Sequence, residues 1–180
     1  MIAVSIVGMA GSGKSEVSRV FEVNDFTRIR FGDLTDEGMA QRGLTPNEAN
    51  ERQVRELLRK EHGMAAYAKL NLVRIDEASK TSNVVVDGLY SWEEYTLLKN
   101  YYGDKFYVVA VWSSPVTRYS RLVKRVNRPL SLKDAINRDG AEIEKVNKGG
   151  PIAMADFTII NEAGMAELRK EVRNIIAGLK

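Results

Sequence analysis

Two rhythms of apolar positions alternate along the chain: short β-branched runs, and longer stretches with helical spacing. The first run, Ile2-Ala3-Val4-Ser5-Ile6-Val7, reads as a buried strand. Beyond a glycine-rich break, Val17, Val20 and Phe21 mark one face of a helix. Thr27-Arg28-Ile29-Arg30-Phe31 alternates polar and apolar and ends at Gly32-Asp33, a second strand. Thr45-Pro46-Asn47-Glu48 is a capping box with proline at the first helical position. It predicts a helix to about Glu61, stopped by His62-Gly63. Residues 64–80 form the next helix, anchored by Tyr67, Leu70, Leu72, Val73 and Ile75.

The second half repeats the alternation. Val84-Val85-Val86-Asp87-Gly88 is an apolar strand that ends in an acid. Ser91-Trp92-Glu93-Glu94 opens a helix that finishes near Tyr102-Gly103. Phe106 to Trp112 is a fourth strand, and Ser114-Pro115 starts another helix. Ser131-Leu132-Lys133-Asp134 caps a helix running through about Val146, and Lys148-Gly149-Gly150-Pro151 breaks it. Phe157-Thr158-Ile159-Ile160 is a fifth strand. Met165, Leu168, Val172, Ile175, Ile176 and Leu179 give a closing helix over 165–179. Strands alternating with helices indicate a parallel α/β sheet.

Composition narrows the classes. At 180 residues the chain is most simply one domain with small insertions. No apolar run approaches ~18 residues, so no membrane span is expected. Residues 1–7 carry no basic leader and do not read as a signal peptide. Cysteine is absent, which removes disulfide and thiol chemistry and fits a cytoplasmic enzyme. His62 is the only histidine, so a multi-histidine metal site is excluded; it reads as a helix-end residue. The net charge of +3 suits an anionic ligand. The basic residues are interleaved with acids and lack an aromatic stacking motif, so nucleic-acid binding is not expected.

The most specific chemistry lies at Gly8-Met9-Ala10-Gly11-Ser12-Gly13-Lys14-Ser15, which fits G-x-x-x-x-G-K-[ST] between a strand and a helix. The glycines let successive N–H groups point into one concavity, and the helix N-terminus adds partial positive charge. Lys14 would reach the β/γ-phosphates of ATP, and Ser15 would offer its hydroxyl to Mg²⁺. Asp87, at the end of an apolar strand, has the form of a Walker B carboxylate for the same metal; an N-cap or turn aspartate is the alternative. Asp33 follows a strand's C-terminal end, where open α/β sheets bind ligands; a turn aspartate capping the next helix is the alternative. Arg118, Arg121, Lys124, Arg125 and Arg128, followed by Arg138 and Asp139, suggest a hinged basic cover over a triphosphate, or a basic surface helix pair.

With those residues in view, the chain resembles P-loop small-molecule kinases near the adenylate kinase and dephospho-coenzyme A kinase families. It is most similar to an archaeal group described as adenylate-kinase-related or dephospho-coenzyme A kinase-like. The resemblance rests on GMAGSGKS at 8–15, Gly32-Asp33, VVVDG at 84–88, the stretch 113–125, Asn137-Arg138-Asp139 and AMADFTIIN at 153–161. It implies a P-loop NTPase three-layer α/β sandwich with a five-stranded parallel sheet in order 2-3-1-4-5. The core would be 1–34, 81–120 and 150–180, with an acceptor-binding insertion at about 35–80 and a lid at about 121–149. It further implies that Arg121 stacks on the donor adenine, with the loop from Asn161 to Gly164 against it. Arg125 would contact the transferring phosphoryl, Arg138 would act from the lid side, and Asp33 would be the base for an acceptor hydroxyl. Monophosphate kinases usually carry an arginine where Thr35 stands, which turns the reading toward an alcohol acceptor unless Arg42, Arg52 or Arg55 substitutes. The expected activity is ATP-dependent phosphoryl transfer to a small acceptor. Nucleoside monophosphate kinase and nucleotide-binding regulatory ATPase are the alternatives.

Overall fold

β1 (Ala3–Val7), β2 (Phe26–Arg30), β3 (Asn83–Asp87), β4 (Phe106–Trp112) and β5 (Phe157–Ile160) form one parallel sheet in the order β2-β3-β1-β4-β5. The structure is a computed structural model that describes residues 1–179. Ala3 of β1 stands opposite Val84 of β3 and Phe106 of β4. β1 therefore has a neighbour on each side and is buried along its whole length. A parallel strand covered on both faces favours a near-continuous apolar run, which β1 has apart from the buried Ser5.

The strand residues divide by face. Val4 and Ile6 pack with α1 (Lys14–Glu22) and α9 (Met165–Gly178) through Val17, Phe21, Leu168 and Val172. Ala3 and Val7 pack on the other side, with Tyr67, Ile75, Leu89 and Leu98 from α4 (Ala66–Ser79), α5 (Trp92–Tyr102) and the β3–α5 loop. Three layers result. The stretch 35–80, read as a single insertion, is therefore split: α4 belongs to a core layer, and α2 (Asp33–Gln41) and α3 (Glu48–His62) border the cleft.

Several element boundaries differ from the sequence expectation. α2 was not anticipated; its polar run carries only Thr35, Gly38 and Met39 inward, too few for a visible period. Gly38 is the point of close approach, since a Cβ there would lie 2.7 Å from Val54 Cγ1. The cap of α3 is Asn47, not Thr45. Asn47 Oδ1 accepts the Asn50 N–H at 2.9 Å, and the Thr45 carbonyl accepts the Asn50 amide at 2.8 Å. The caps Ser91 of α5, Ser114 of α6 (Pro115–Val123) and Ser131 of α7 (Leu132–Glu144) are as expected. Lys148-Gly149-Gly150-Pro151, read as a break, instead opens a short helix, α8 (Gly149–Ala153). Proline is tolerated in that first turn because its missing N–H would be unpaired there anyway.

Candidate functional site

The loop from Gly8 to Gly13 connects β1 to α1 through backbone geometry that its glycines alone satisfy. Gly8 has φ +151°, and a Cβ there would meet the Val111 carbonyl oxygen at 2.3 Å. Gly13 has φ +104°, and a Cβ would meet Asn161 Nδ2 at 2.3 Å. Gly13 is also the N-cap of α1, and no side chain closes that helix end. The Glu16 N–H donates to the Gly13 carbonyl at 3.0 Å, and the Lys14 and Ser15 N–H groups are left for an anion. Lys14 Nζ donates to the Met9 carbonyl across the loop at 3.0 Å. Burial, reinforced by the neighbouring Lys148 ammonium, pushes Lys14 down to about 7. A phosphate beside it would reverse that shift.

In front of the loop lies a cavity of about 150 Å³ whose wall includes Gly11, Lys14, Ser15, Asp87, Arg125 and Arg138. The Asp87 carboxylate is buried and accepts a hydrogen bond from Arg28, which leaves its other oxygen uncommitted. Arg125 makes no hydrogen bond or ion pair among the described residues. A second, larger cleft of about 790 Å³ opens between α3 and α7. The two cavities share Arg30, Gly32, Tyr90, Arg138, Glu142 and Lys148.

The basic residues after β4 are sorted by the fold into different jobs. Arg118 is 5 % exposed. It donates to the Ala10 and Ser113 carbonyls at 3.1 and 3.2 Å and to both Asp139 oxygens at 2.9 and 2.6 Å. It thereby staples α7 to the phosphate loop. Arg121 donates to Ser113 Oγ and to the Asn161 carbonyl, each at 3.0 Å. Arg138 reaches Glu48 of α3 at 3.0 Å and Glu142 at 3.2 Å. Arg128 pairs with Asp36 at 3.1 Å and Glu51 at 3.0 Å. Carboxylates of α2 and α3 therefore already pair with Arg128 and Arg138 of the cover. Burial alone would push Glu142 up, but Lys148, Arg138 and Lys14 hold it down at about 2.

The structure thus brings Gly11, Lys14, Ser15, Asp87, Arg125 and Arg138 around one cavity. It does not bring Asp33 or Asn161 there. Asp33 sits in the first turn of α2, paired with Arg30 at 2.7 Å, and lines neither cavity. The Asn161 amide donates to the Ser12 carbonyl at 2.8 Å, so this side chain braces the loop from behind. Sequence reasoning missed Arg28, Arg30, Tyr90, Glu142 and Lys148. Glu142 carried a signal, its spacing of four residues from Arg138 on one helix face. Lys148 carried none, because it is brought in by a chain reversal between α7 and α8.

A family model described as an AAA domain matches residues 4–146. The UPF0200 protein of Thermococcus onnurineus is 34% identical over 177 residues, covering 96% of this chain and 95% of that protein. The chain belongs to the AAA-domain family of that model and to the UPF0200 proteins. Its fold is similar to shikimate kinase from Acinetobacter baumannii in complex with shikimate, with a TM-score of 0.60 and 17% identity, covering 100% of this chain and 95% of that one. It is also similar to dephospho-CoA kinase from Campylobacter jejuni, with a TM-score of 0.57 and 15% identity, covering 99% and 97%. These likenesses establish a P-loop kinase-like fold with the sheet order 2-3-1-4-5. Among the described residues no helix is long and apolar enough to cross a membrane.

Proposed function

We propose that the protein transfers the γ-phosphoryl group of ATP to a small acceptor, a nucleotide-like alcohol such as dephospho-coenzyme A. One observation carries the reading: a phosphate-loop cavity and a separate, larger cleft meet along a common wall that includes Arg30, Arg138 and Lys148. A nucleotide switch needs the first cavity and has no use for the second. Catalysis is positioning plus stabilisation of charge that spreads over the equatorial oxygens of the transferring group. Lys14, Arg125 and Arg138 supply that stabilisation, Arg138 by exchanging Glu48 for phosphate. Arg121, with Asn161 behind the loop, flanks the adenine side.

Mg²⁺ fits the donor set. Ser15 and Asp87 border the same cavity, and no cluster of three or more acidic or histidine side chains is available to cage an ion among the described residues. Ser15 and Asp87 would hold the ion from the protein side, with the nucleotide supplying the remaining oxygen ligands. When bound, Mg²⁺ neutralises charge on the β- and γ-oxygens. Asp33 is the proposed base for the acceptor hydroxyl; it acts once Arg30, which lines both cavities, turns from it to an anionic group of the acceptor.

A nucleoside monophosphate is the second acceptor reading. Arg30, Arg52, Arg55 and Arg59 all line the larger cleft and could replace the arginine absent at Thr35. The deciding experiment is ATP consumption with dephospho-coenzyme A, AMP, CMP, UMP and GMP in parallel. Stimulation by dephospho-coenzyme A is expected. Stimulation by a monophosphate alone selects the second reading. ATP turnover indifferent to every acceptor refutes the kinase assignment in favour of a regulatory ATPase.

A further inference from the structure

Lys148 is 2% exposed, although it lies on the chain reversal between α7 and α8 where a lysine could extend into water. Withdrawing an ammonium group from water is costly unless its charge is fully compensated. Its one carboxylate partner among the described residues is Glu142, with Nζ 2.7 Å from Oε2. Glu142 does not belong to Lys148 alone. It also holds Arg138 and acts on Lys14. The other acid bordering the phosphate-loop cavity, Asp87, is matched by Arg28. Lys14, Arg138 and Lys148 thus share Glu142, with Glu48 assisting Arg138 from the cleft side. The Tyr90 ring, 5.2 Å from the Lys148 ammonium, gives it a favourable face without a negative charge. This arrangement carries a buried excess of positive charge at one place: the wall common to both cavities.

Position distinguishes the two lysines. Lys14 borders the phosphate-loop cavity, and Lys148 borders both that cavity and the larger cleft. Sharing Glu142 with Arg138 and bordering both cavities are the two observations that set Lys148 apart from a lysine that only ties α8 to α7. We propose that Lys148 is a catalytic residue that contacts the transferring phosphoryl from the acceptor side, opposite Lys14 on the donor side. The proposal rests on the phosphoryl-transfer reading above. In that step the acceptor oxygen forms its bond to the γ-phosphorus as the bond from that phosphorus to the β,γ-bridging oxygen breaks. The electron pair leaves with ADP, and the hydroxyl proton goes to the Asp33 carboxylate. Lys148 transfers no proton in this step; burial lowers its ammonium, Glu142 opposes that lowering, and a phosphoryl beside it would favour the charged form that stabilises the equatorial oxygens.

The test uses ADP, Mg²⁺, aluminium fluoride and dephospho-coenzyme A, or AMP where the acceptor panel selects it. Metal fluoride with ADP imitates the transferring phosphoryl. Binding is followed by calorimetry for the wild type, Lys148→Met, Lys148→Arg, and the pair Lys148→Met with Glu142→Gln. The pair leaves no buried charge without a partner at position 142 and so guards against misfolding. In the wild type, fluoride should tighten ADP binding. Taken as the ratio of each variant's own ADP affinity with and without fluoride, the gain should fall about 10²–10³-fold in Lys148→Met and in the pair, the cost of removing one donor to a developing oxyanion. Lys148→Arg should recover part of it. If Lys148→Met keeps the full gain and only melts earlier, Lys148 is a tie between α7 and α8 and the proposal is wrong. If the wild type itself shows no fluoride gain, phosphoryl transfer is refuted, and this role with it.

Discussion

Asp139→Ala isolates the contact that joins the helical cover to the phosphate loop. The substitution leaves Arg118, 5% exposed, with the Ala10 and Ser113 carbonyls but no counter-charge, and removes the acceptor of the Tyr119 hydroxyl. The Asp139 side chain is itself only 14% exposed, so solvent screening does not soften the loss. Breaking a buried pair from one side costs about 3–5 kcal/mol. For a chain of this length each kcal/mol lowers Tm by roughly 2–4 °C, so a fall of about 6–20 °C is expected in a thermal melt. The pair Arg118→Met with Asp139→Leu removes both charges and should melt higher than Asp139→Ala, because the dominant penalty is the orphaned guanidinium and not the missing attraction. An Asp139→Ala variant that melts within about 2 °C of the wild type would refute the staple. The pair would then behave as an exposed one, whose worth is about 0–1 kcal/mol.

Two further outcomes bear on the site. Lys14→Ala should lower ATP turnover by about 10²–10³-fold, read as kcat, and leave the melt nearly unchanged; its charged form is already disfavoured in the folded protein. Undiminished turnover would remove Lys14 from the chemistry. ATP binding should take up a proton when measured above about pH 7: Lys14 is held near 7 in the free protein, and a phosphate beside it raises that value again, so the protonated fraction increases on binding. Calorimetry in buffers of different ionisation enthalpy reads the uptake. It should shrink toward zero well below pH 7, where Lys14 is protonated in both states.

The five strands, the helix caps at Ser91, Ser114 and Ser131, and the phosphate loop were legible because each is written in neighbouring residues. An apolar run, a hydroxyl three residues before an acid, or a glycine triplet ahead of a lysine is a local statement, and local energetics suffices to read it. Even the nearby misreadings have local competitors: Asn47 offered a second cap two residues past Thr45, and the polar α2 gave no period to detect. The roles of the charged residues were not legible in this way. Arg118, Arg121 and Arg125 look alike in the sequence, although α6 ends at Val123, before the last of them. Only packing decides that the first is spent on Asp139, the second on Ser113 and Asn161, and the third is left free at the cavity. Asp33's pairing with Arg30 could not be read from the sequence, and Lys148 looked like part of a helix break and is buried at the junction of two cavities. Arg118 finds its partner 21 residues away and Arg121 reaches one 40 residues away, while Arg30 and Glu142 are near Asp33 and Lys148 in sequence and become their partners only through the fold's geometry. Charge acts through space and is priced by burial, and neither the distance nor the burial exists until the sheet has gathered the loops at one end.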